Sequence, residues 1–290
     1  MTSQRFISAM QYKDLLVVVD RKPTATKRLE TAFELARALD AHLTALLMIP
    51  EPANPVIAGV PMPLEILENQ RELIAKEAAD TIATVRSHAD RAGIPLETRT
   101  ETASFEQWPS RLARQARHAD LTIIGQVEPE EDDSAEVALM IEAAFMQSGR
   151  PALVVPYVGA RNLPPERILV CWDGSPEAAR ALNDSLPIIE SARSTTLLII
   201  DPEKYRSTVG ELPGADAATH LARHGINVQI RTVTGNGMAT GEVILNEISD
   251  NGADLVVMGG YGHSRLREMV LGGATRKLLE SMTVPVLISH

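Results

Sequence analysis

One pattern is written twice along this chain, and that repetition limits the folds open to it more than any other feature. DLLVVVD (14–20) returns as RILVCWD (167–173), 153 residues later. GIPLETRT (93–100) returns as GINVQIRT (225–232), DLTIIG (120–125) as DLVVMG (254–259), and GRPALVVP (149–156) as TVPVLISH (283–290), at offsets of 132, 134 and 134. The order is the same in both halves, so each is read as one copy of a single supersecondary plan. The drop in offset leaves about 21 extra residues in the first copy, including the Pro-rich stretch EPANPVIAGVPMP (51–63), read as a loop. Between the copies YVGARNLPPER (157–167) reads as a linker ending in a proline pair. The predicted domains are therefore 1–156 and 157–290, which agrees with a chain of 290 residues at roughly 150 per domain.

Each copy alternates β-branched runs with helical periods. In the second, strands are predicted at 168–172, 195–200, 226–233, 254–258 and 284–289, with helices after Ser175 and at 215–224, 240–249 and 274–282. Ser175 offers an N-cap, with Pro176 at the first helical position. The first copy follows the same plan with a longer second helix, whose apolar stripe runs Leu67, Ile74, Ala78, Ile82, Val85, Ala89 up to Gly93. Strands that are apolar on both faces belong in parallel sheets. The predicted fold class is α/β: two tandem, doubly wound, five-stranded parallel-sheet domains of Rossmann-like design. Their last strands (152–155 and 284–289) would leave exposed edges, so the copies are expected to pair there as an intramolecular pseudo-dimer, with further homo-oligomerisation left open.

Composition excludes several partners. The chain has 28 basic and 38 acidic residues, a net charge of −10. That disfavours nucleic acid and anionic membrane surfaces, both of which call for cations. Four Phe, two Trp and four Tyr give little surface for stacking bases. A single cysteine, Cys171, forbids an intrachain disulfide and suits a reducing cytoplasm. No apolar run reaches the roughly 18 residues of a membrane span, and the N-terminal run is too short for a signal-peptide core.

In a doubly wound sheet, ligands bind beyond the carboxyl ends of the strands where strand order reverses. Two features of the second copy fall there. Asp173 follows its first strand. After its fourth comes MGGYGHSRLREMVLGGATRKLLE (258–280), in which Gly259 and Gly262 frame a turn and Gly272, Gly273, Ala274 and Thr275 open the last helix. Glycines let backbone N–H groups approach an anion, and the start of a helix adds its dipole. Thr275 adds a hydroxyl, while Arg265, Arg267, Arg276 and Lys277 make the stretch basic within an acidic chain. A carboxylate at Asp173 suits a ribose hydroxyl or a base N–H. The set describes a mononucleotide site.

Gly259-x-x-Gly262-x(9)-Gly272, the strand DLVVMG before it, the opening strand ending in WDGS and the closing PVLIS resemble the signature of ATP-binding universal stress proteins, and the likeness covers nearly the whole chain as two copies. The resemblance implies that Asp173 contacts the adenosine, that Ile199 lines the base pocket, that Met258 faces the nucleotide, and that the glycines and residues 273–275 hold the phosphates. It implies ATP or another adenine nucleotide as ligand, with Mg2+ as a companion, and a regulatory or protective role under stress. Family members that bind ATP usually carry Ser or Thr where this chain has Gly273, so one hydroxyl to the phosphates is missing.

The first copy aligns Gly125 with Gly259, but Glu128 with Gly262, Ala138 with Gly272 and Leu139 with Gly273. The loop EPEEDDSAE (128–136) holds six acids and no base. Acidic groups beside a phosphate repel it, so the first copy is predicted not to bind ATP although Asp20 matches Asp173. The loop itself reads first as a solvated acidic surface, and second as a docking patch for a basic partner.

Other motifs carry less. His263 and Ser264 lie in the loop with no carboxylate placed to complete a triad, and His263 is counted as a solvent or phosphate contact. His220 and His224 have an i, i+4 spacing but no third ligand. GNGMATG (235–241) resembles a dinucleotide fingerprint, with Asp254 near the ribose-acid spacing; yet Asp254 begins a strand, whereas a ribose acid belongs at a strand's carboxyl end. There is no GxxxxGK[ST]. With no lysine in the cradle and no evident general base, fast hydrolysis is not expected and slow turnover stays open. Two alternatives stand beside a binding protein: a small α/β nucleotide hydrolase or nucleotidyl-transfer enzyme, and a scaffold that binds no nucleotide.

Overall fold

The structure is a computed structural model that describes residues 11–52, 56–57, 60–61, 63–128, 130–131, 133–160, 162–205, 212–260 and 273–290. The N-terminal half runs β1 (Asp14–Val19), α1 (Ala25–Leu39), β2 (His42–Pro50), β3 (Val56–Ile57), β4 (Val60–Pro61), α2 (Leu64–Ala92), β5 (Leu96–Ala103), α3 (Trp108–Ala116), β6 (Leu121–Gly125), α4 (Ser134–Glu142) and β7 (Ala152–Val155). The C-terminal half runs β8 (Arg167–Cys171), α5 (Pro176–Asp184), α6 (Leu186–Ile189), β9 (Ser194–Ile200), α7 (Ala215–Arg223), β10 (Val228–Val233), α8 (Thr240–Asn251), β11 (Leu255–Gly259), α9 (Gly273–Ser281) and β12 (Val286–Ser289).

Ten strands form one sheet in the order β10-β9-β8-β11-β12-β7-β6-β1-β2-β5. Each half contributes five parallel strands in the same internal order, 3-2-1-4-5. The halves meet where β12 pairs antiparallel with β7, Val286 opposite Val154 and Leu287 opposite Leu153. Sequence and sheet agree on why: Ala152–Val155 and Val286–Ser289 are buried at every position, and such a strand at an open edge would invite aggregation. The outer strands differ in kind. β5 (LETRTETA) and β10 (VQIRTV) are charged and largely exposed, a composition that blunts an open sheet edge.

The pleat divides the core into two faces. Leu15, Val17, Val170, Leu197, Val257 and Leu287 pack against α1, α5, α6, α7 and the C-terminal end of α2. Leu16, Val18, Leu169, Leu198, Val256 and Ile288 pack against α3, α4, α8 and α9. Both clusters draw on both halves, so the core on each face continues across the β12–β7 seam. Each fully buried aliphatic side chain contributes about 1.5–3 kcal/mol.

Local signals explain the helix ends. Ser175 Oγ accepts from the Ala178 N–H (3.1 Å), with Pro176 in the first turn, and Gly93 ends α2 at φ +66°. Two elements differ from the sequence reading. The stretch 51–63, read as a loop, contains the short antiparallel pair β3–β4. Two-residue strands are too short to leave a periodic trace. In α2 the stripe packs firmly at Leu67, Val85 and Ala89, while Ile74 is half-buried and Leu73 is exposed.

Candidate functional site

Strand order reverses between β8 and β11, and between β1 and β6, which leaves one crevice in each half. In the C-terminal half, Asp173 stands just past β8. Its Oδ1 accepts from the Ser175 N–H at 2.9 Å, closing a tight turn in which Gly174 takes φ +75°. Across the crevice, β11 ends at Gly259. An ideal Cβ on Gly259 would lie 2.6 Å from Ala178 N and from the Glu177 carbonyl carbon. The missing side chain is what lets the first turn of α5 close against the strand end. Asp173, the start of α5 and Gly259 therefore sit together.

Gly273 opens α9, and an ideal Cβ there meets nothing within 4 Å among the described residues. Ala274 follows in the same helix, and Thr275 is buried. Arg276 is committed to Glu280 one turn on (2.7 Å). Gly262, His263, Arg265 and Gly272, with Ser264 and Arg267, lie outside the described residues.

Ile199 and Met258 stand on opposite faces of the sheet. Ile199 is fully buried beside Leu197 beneath Gly214, whose ideal Cβ would be 2.7 Å from Ile199 Cδ1. Met258 is buried with Leu198, Ile244 and Leu278 under α8 and α9. What they share is position at the carboxyl ends of β9 and β11. Cys171, in β8, is desolvated, and with the Asp173 charge nearby its thiol is pushed up to about 12. It therefore stays protonated and poorly nucleophilic.

The competing motifs have structural work. Asp201, at φ +48°, accepts the Gly235 N–H (2.7 Å), and Asn236 and Gly237 complete the turn into α8 at φ +51° and +86°. Asp254 is buried at the amino end of β11, where it accepts from the N–H groups of Glu166 (3.2 Å) and Arg167 (3.0 Å) and from Asn162 Nδ2 (2.7 Å). His220 lies edge-on to His224 with its Nε2 3.2 Å from Asn183 Oδ1. Among the described residues no group of three His, Cys, Asp or Glu could hold a metal ion.

The N-terminal crevice is filled from within. Asp20 makes the same turn as Asp173, its Oδ1 accepting from the Lys22 N–H (2.8 Å). Its Oδ2 is taken by Arg28 Nη2 at 2.5 Å. Arg28 rises from the sheet-facing side of α1, is buried, and lays its guanidinium over Gly125: an ideal Cβ there would be 2.3 Å from Arg28 Nη1. The acidic loop is met by a cation of the β1–α1 turn, with Lys22 Nζ 2.6 Å from Asp133 and 4.0 Å from Glu131, while Thr24 Oγ1 donates to Glu128 (3.1 Å). Burial alone would lower the Lys22 pKa; its bond to Asp133 and the charges of Asp133, Glu128 and Glu131 outweigh that and raise it. What remains is a cavity of about 30 Å³, room for a water molecule. Sequence reasoning missed Arg28. The signal was present: Ala25, Arg28, Leu29, Ala32 and Leu35 share one helical face, so an arginine interrupts an apolar stripe.

The chain matches the family model described as "Universal stress protein family" twice, over residues 11–138 and 165–290. It is 26% identical over 144 residues to the universal stress protein YxiE of Bacillus subtilis, a match covering 42% of this chain and 97% of that protein. It is 34% identical over 67 residues to the universal stress protein Slr1230 of Synechocystis, covering 23% of this chain and 22% of that one, so it spans under a quarter of that relative's length. Among solved structures, a universal stress protein from Archaeoglobus fulgidus superposes with a TM-score of 0.71 at 15% identity, over 96% of this chain and 97% of the other. That likeness is one of fold.

Proposed function

Because the chain belongs to the universal stress protein family, we propose that it binds one adenine nucleotide, ATP or a form with fewer phosphates, in its C-terminal crevice, and uses this binding in a regulatory or protective role under stress. The observation that carries the reading is the contrast between the two crevices. Eight residues after Asp20 stands Arg28, which takes its carboxylate; eight residues after Asp173 stands Ala181. Among the described residues Asp173 has no ion pair, so its second oxygen is available to a ribose hydroxyl or base N–H. A basic glycine loop follows Gly259 in sequence, whereas an acidic loop follows Gly125.

Phosphate would be gripped by backbone amides of the 259–275 segment and by the start of α9, where Gly273 has no described residue within 4 Å of its Cβ position and Thr275 adds a hydroxyl. Mg2+ would arrive with the phosphates. We propose binding without rapid turnover, in the cytoplasm; no helix among the described residues is long and apolar enough to cross a membrane.

Calorimetry on the full chain tests this. ATP should bind once per chain, Asp173→Asn should weaken it at least tenfold, and Asp20→Asn should leave it unchanged. Two equivalent sites, or no heat at millimolar ATP, would overturn the reading. Steady phosphate release that requires Asp173 would make the protein an enzyme instead.

A further inference from the structure

The N-terminal crevice has an occupant of its own, and that occupant indicates what the site is built to hold. Arg28 lies where strand order reverses between β1 and β6. Its side chain is buried, with Nη2 on Asp20 Oδ2 at 2.5 Å and Nη1 close to where a Cβ on Gly125 would stand. A guanidinium is planar, forked and always charged, and it is retained in a buried place only against a carboxylate. Asp20 supplies the carboxylate, and the bare Cα of Gly125 leaves room for the plane.

The rest of the lining is apolar or already committed. Lys22 Nζ pairs with Asp133 (2.6 Å) and Thr24 Oγ1 donates to Glu128 (3.1 Å). The Gln126 side chain accepts from the Tyr157 N–H (3.2 Å) and donates to the Glu280 carbonyl (3.1 Å). Val137, Val155 and Pro156 are the apolar walls. Of the lining residues Asp20 and Glu128 are acidic and Lys22 and Arg28 basic, so their charges balance only with Arg28 in place. Without its guanidinium the crevice is net negative, the more so for Glu131 and Asp133 beside Lys22. One detail marks Arg28 as a tethered occupant. Its Nε is buried without a hydrogen-bond partner, whereas buried donors normally have one. The attachment to α1 holds that donor where no acceptor lies.

We infer that the N-terminal crevice is a binding site for planar organic cations of the guanidinium class, kept occupied by the chain's own Arg28. The acidic loop after Gly125, unsuited to phosphate, suits such a ligand. Asp20 holds the position that Asp173 holds in the second copy, and the arginine eight residues on delivers the cation to it. A free ligand enters only when Arg28 leaves. The inference stands on residues of the N-terminal half and is independent of whether the C-terminal half binds a nucleotide.

Arg28→Ala deletes, beyond Cβ, the heavy atoms of an ethylguanidinium ion, so that ion is the probe. In the full-length variant, about 20 mM ethylguanidinium chloride should raise the melting temperature by roughly 4 °C over the same concentration of sodium chloride, the shift expected of a millimolar dissociation constant. The wild type, whose site is filled, should show no rise. Ammonium chloride, which has the charge without the plane or the fork, should give none in the variant. Adding Asp20→Asn to Arg28→Ala should abolish the gain, and Arg28→Met, which fills the space, should be indifferent to the ion. Arg28→Ser carries the same test if Arg28→Ala does not fold. No rise in the truncated variant, a rise that ammonium reproduces, a rise that survives Asp20→Asn, or an equal rise in the wild type would each overturn the inference.

Discussion

Arg28 and Asp20 meet at 2.5 Å in the N-terminal crevice, the arginine side chain 8% exposed and the aspartate 38% exposed. Their burial is unequal, so the two halves of the pair differ in what their removal leaves behind. Asp20→Ala strands a guanidinium that already has its Nε buried without a partner, and breaking a buried pair in that way costs about 3–5 kcal/mol. Arg28→Met leaves a carboxylate that water reaches and removes the unpaired Nε as well, so its cost should be nearer 1 kcal/mol. Urea denaturation of the full chain should rank Asp20→Ala well below Arg28→Met in midpoint; the reverse order would show that the arginine is not the desolvated partner.

Tyr12 ties the halves together at their other end. Its hydroxyl donates to the Asp184 carbonyl, at the end of α5. Burial raises the hydroxyl pKa above the usual tyrosine value, and the charges of Asp184 and Asp120 add to the rise. The sign follows: the folded state favours the protonated form, so this contribution is whole below about pH 10, the unfolded value, and shrinks as pH climbs beyond it. Tyr12→Phe should cost about 1 kcal/mol at pH 7 and should flatten the loss of stability between pH 9 and 11 that the wild type shows. Parallel alkaline limbs in the two proteins would contradict the assignment.

Much of this architecture is legible in the residues because it rests on local signals repeated twice. Ser175-Pro176 starts a helix, Gly93 and Gly225 stop two, and apolar runs such as DLVVM name buried parallel strands. The meeting of the two last strands is legible too, since two fully apolar final strands demand cover, but its antiparallel sense is not. The Arg28 plug was not, because a charge within an apolar stripe acquires its meaning only when α1 is laid over Gly125. The contacts of Phe145 with Gly260 and of Gln126 with the Glu280 carbonyl are further out of reach: nothing near either residue in sequence indicates a partner more than a hundred positions away. Gly259 gives a subtler lesson. Its spacing to Gly262 and Gly272 reads as a phosphate turn, yet its own bare Cα is already required by the first turn of α5.

Cys171 offers a direct check on how tightly the β8 end is packed. With its thiol pushed up to about 12 by burial and by Asp173, almost none is thiolate at pH 8. A disulfide exchange reagent at that pH should react with the unfolded chain in seconds and with the folded chain at a rate lower by orders of magnitude. Rapid labelling of the native protein would mean that the crevice floor opens readily.

Gly273 is the position at which the C-terminal site can be improved. Among the described residues nothing lies within 4 Å of where its Cβ would be, so a side chain there displaces none of them. Its φ is not in the left-handed region, and α9 begins there. Gly273→Ser therefore places a hydroxyl at the opening turn of the helix, beside the amides proposed to grip phosphate. One added hydrogen bond is worth about 1 kcal/mol, or roughly fivefold in affinity, and more when the acceptor is charged. ATP should bind Gly273→Ser about five- to tenfold more tightly than the wild type. Adenosine, which has no phosphate to receive the bond, should gain nothing. The adenosine comparison separates ligand contact from helix stabilisation, because replacing glycine in α9 also reduces unfolded-state entropy and would raise the melting temperature in either case. Equal gains for ATP and adenosine would place the phosphates away from the start of α9.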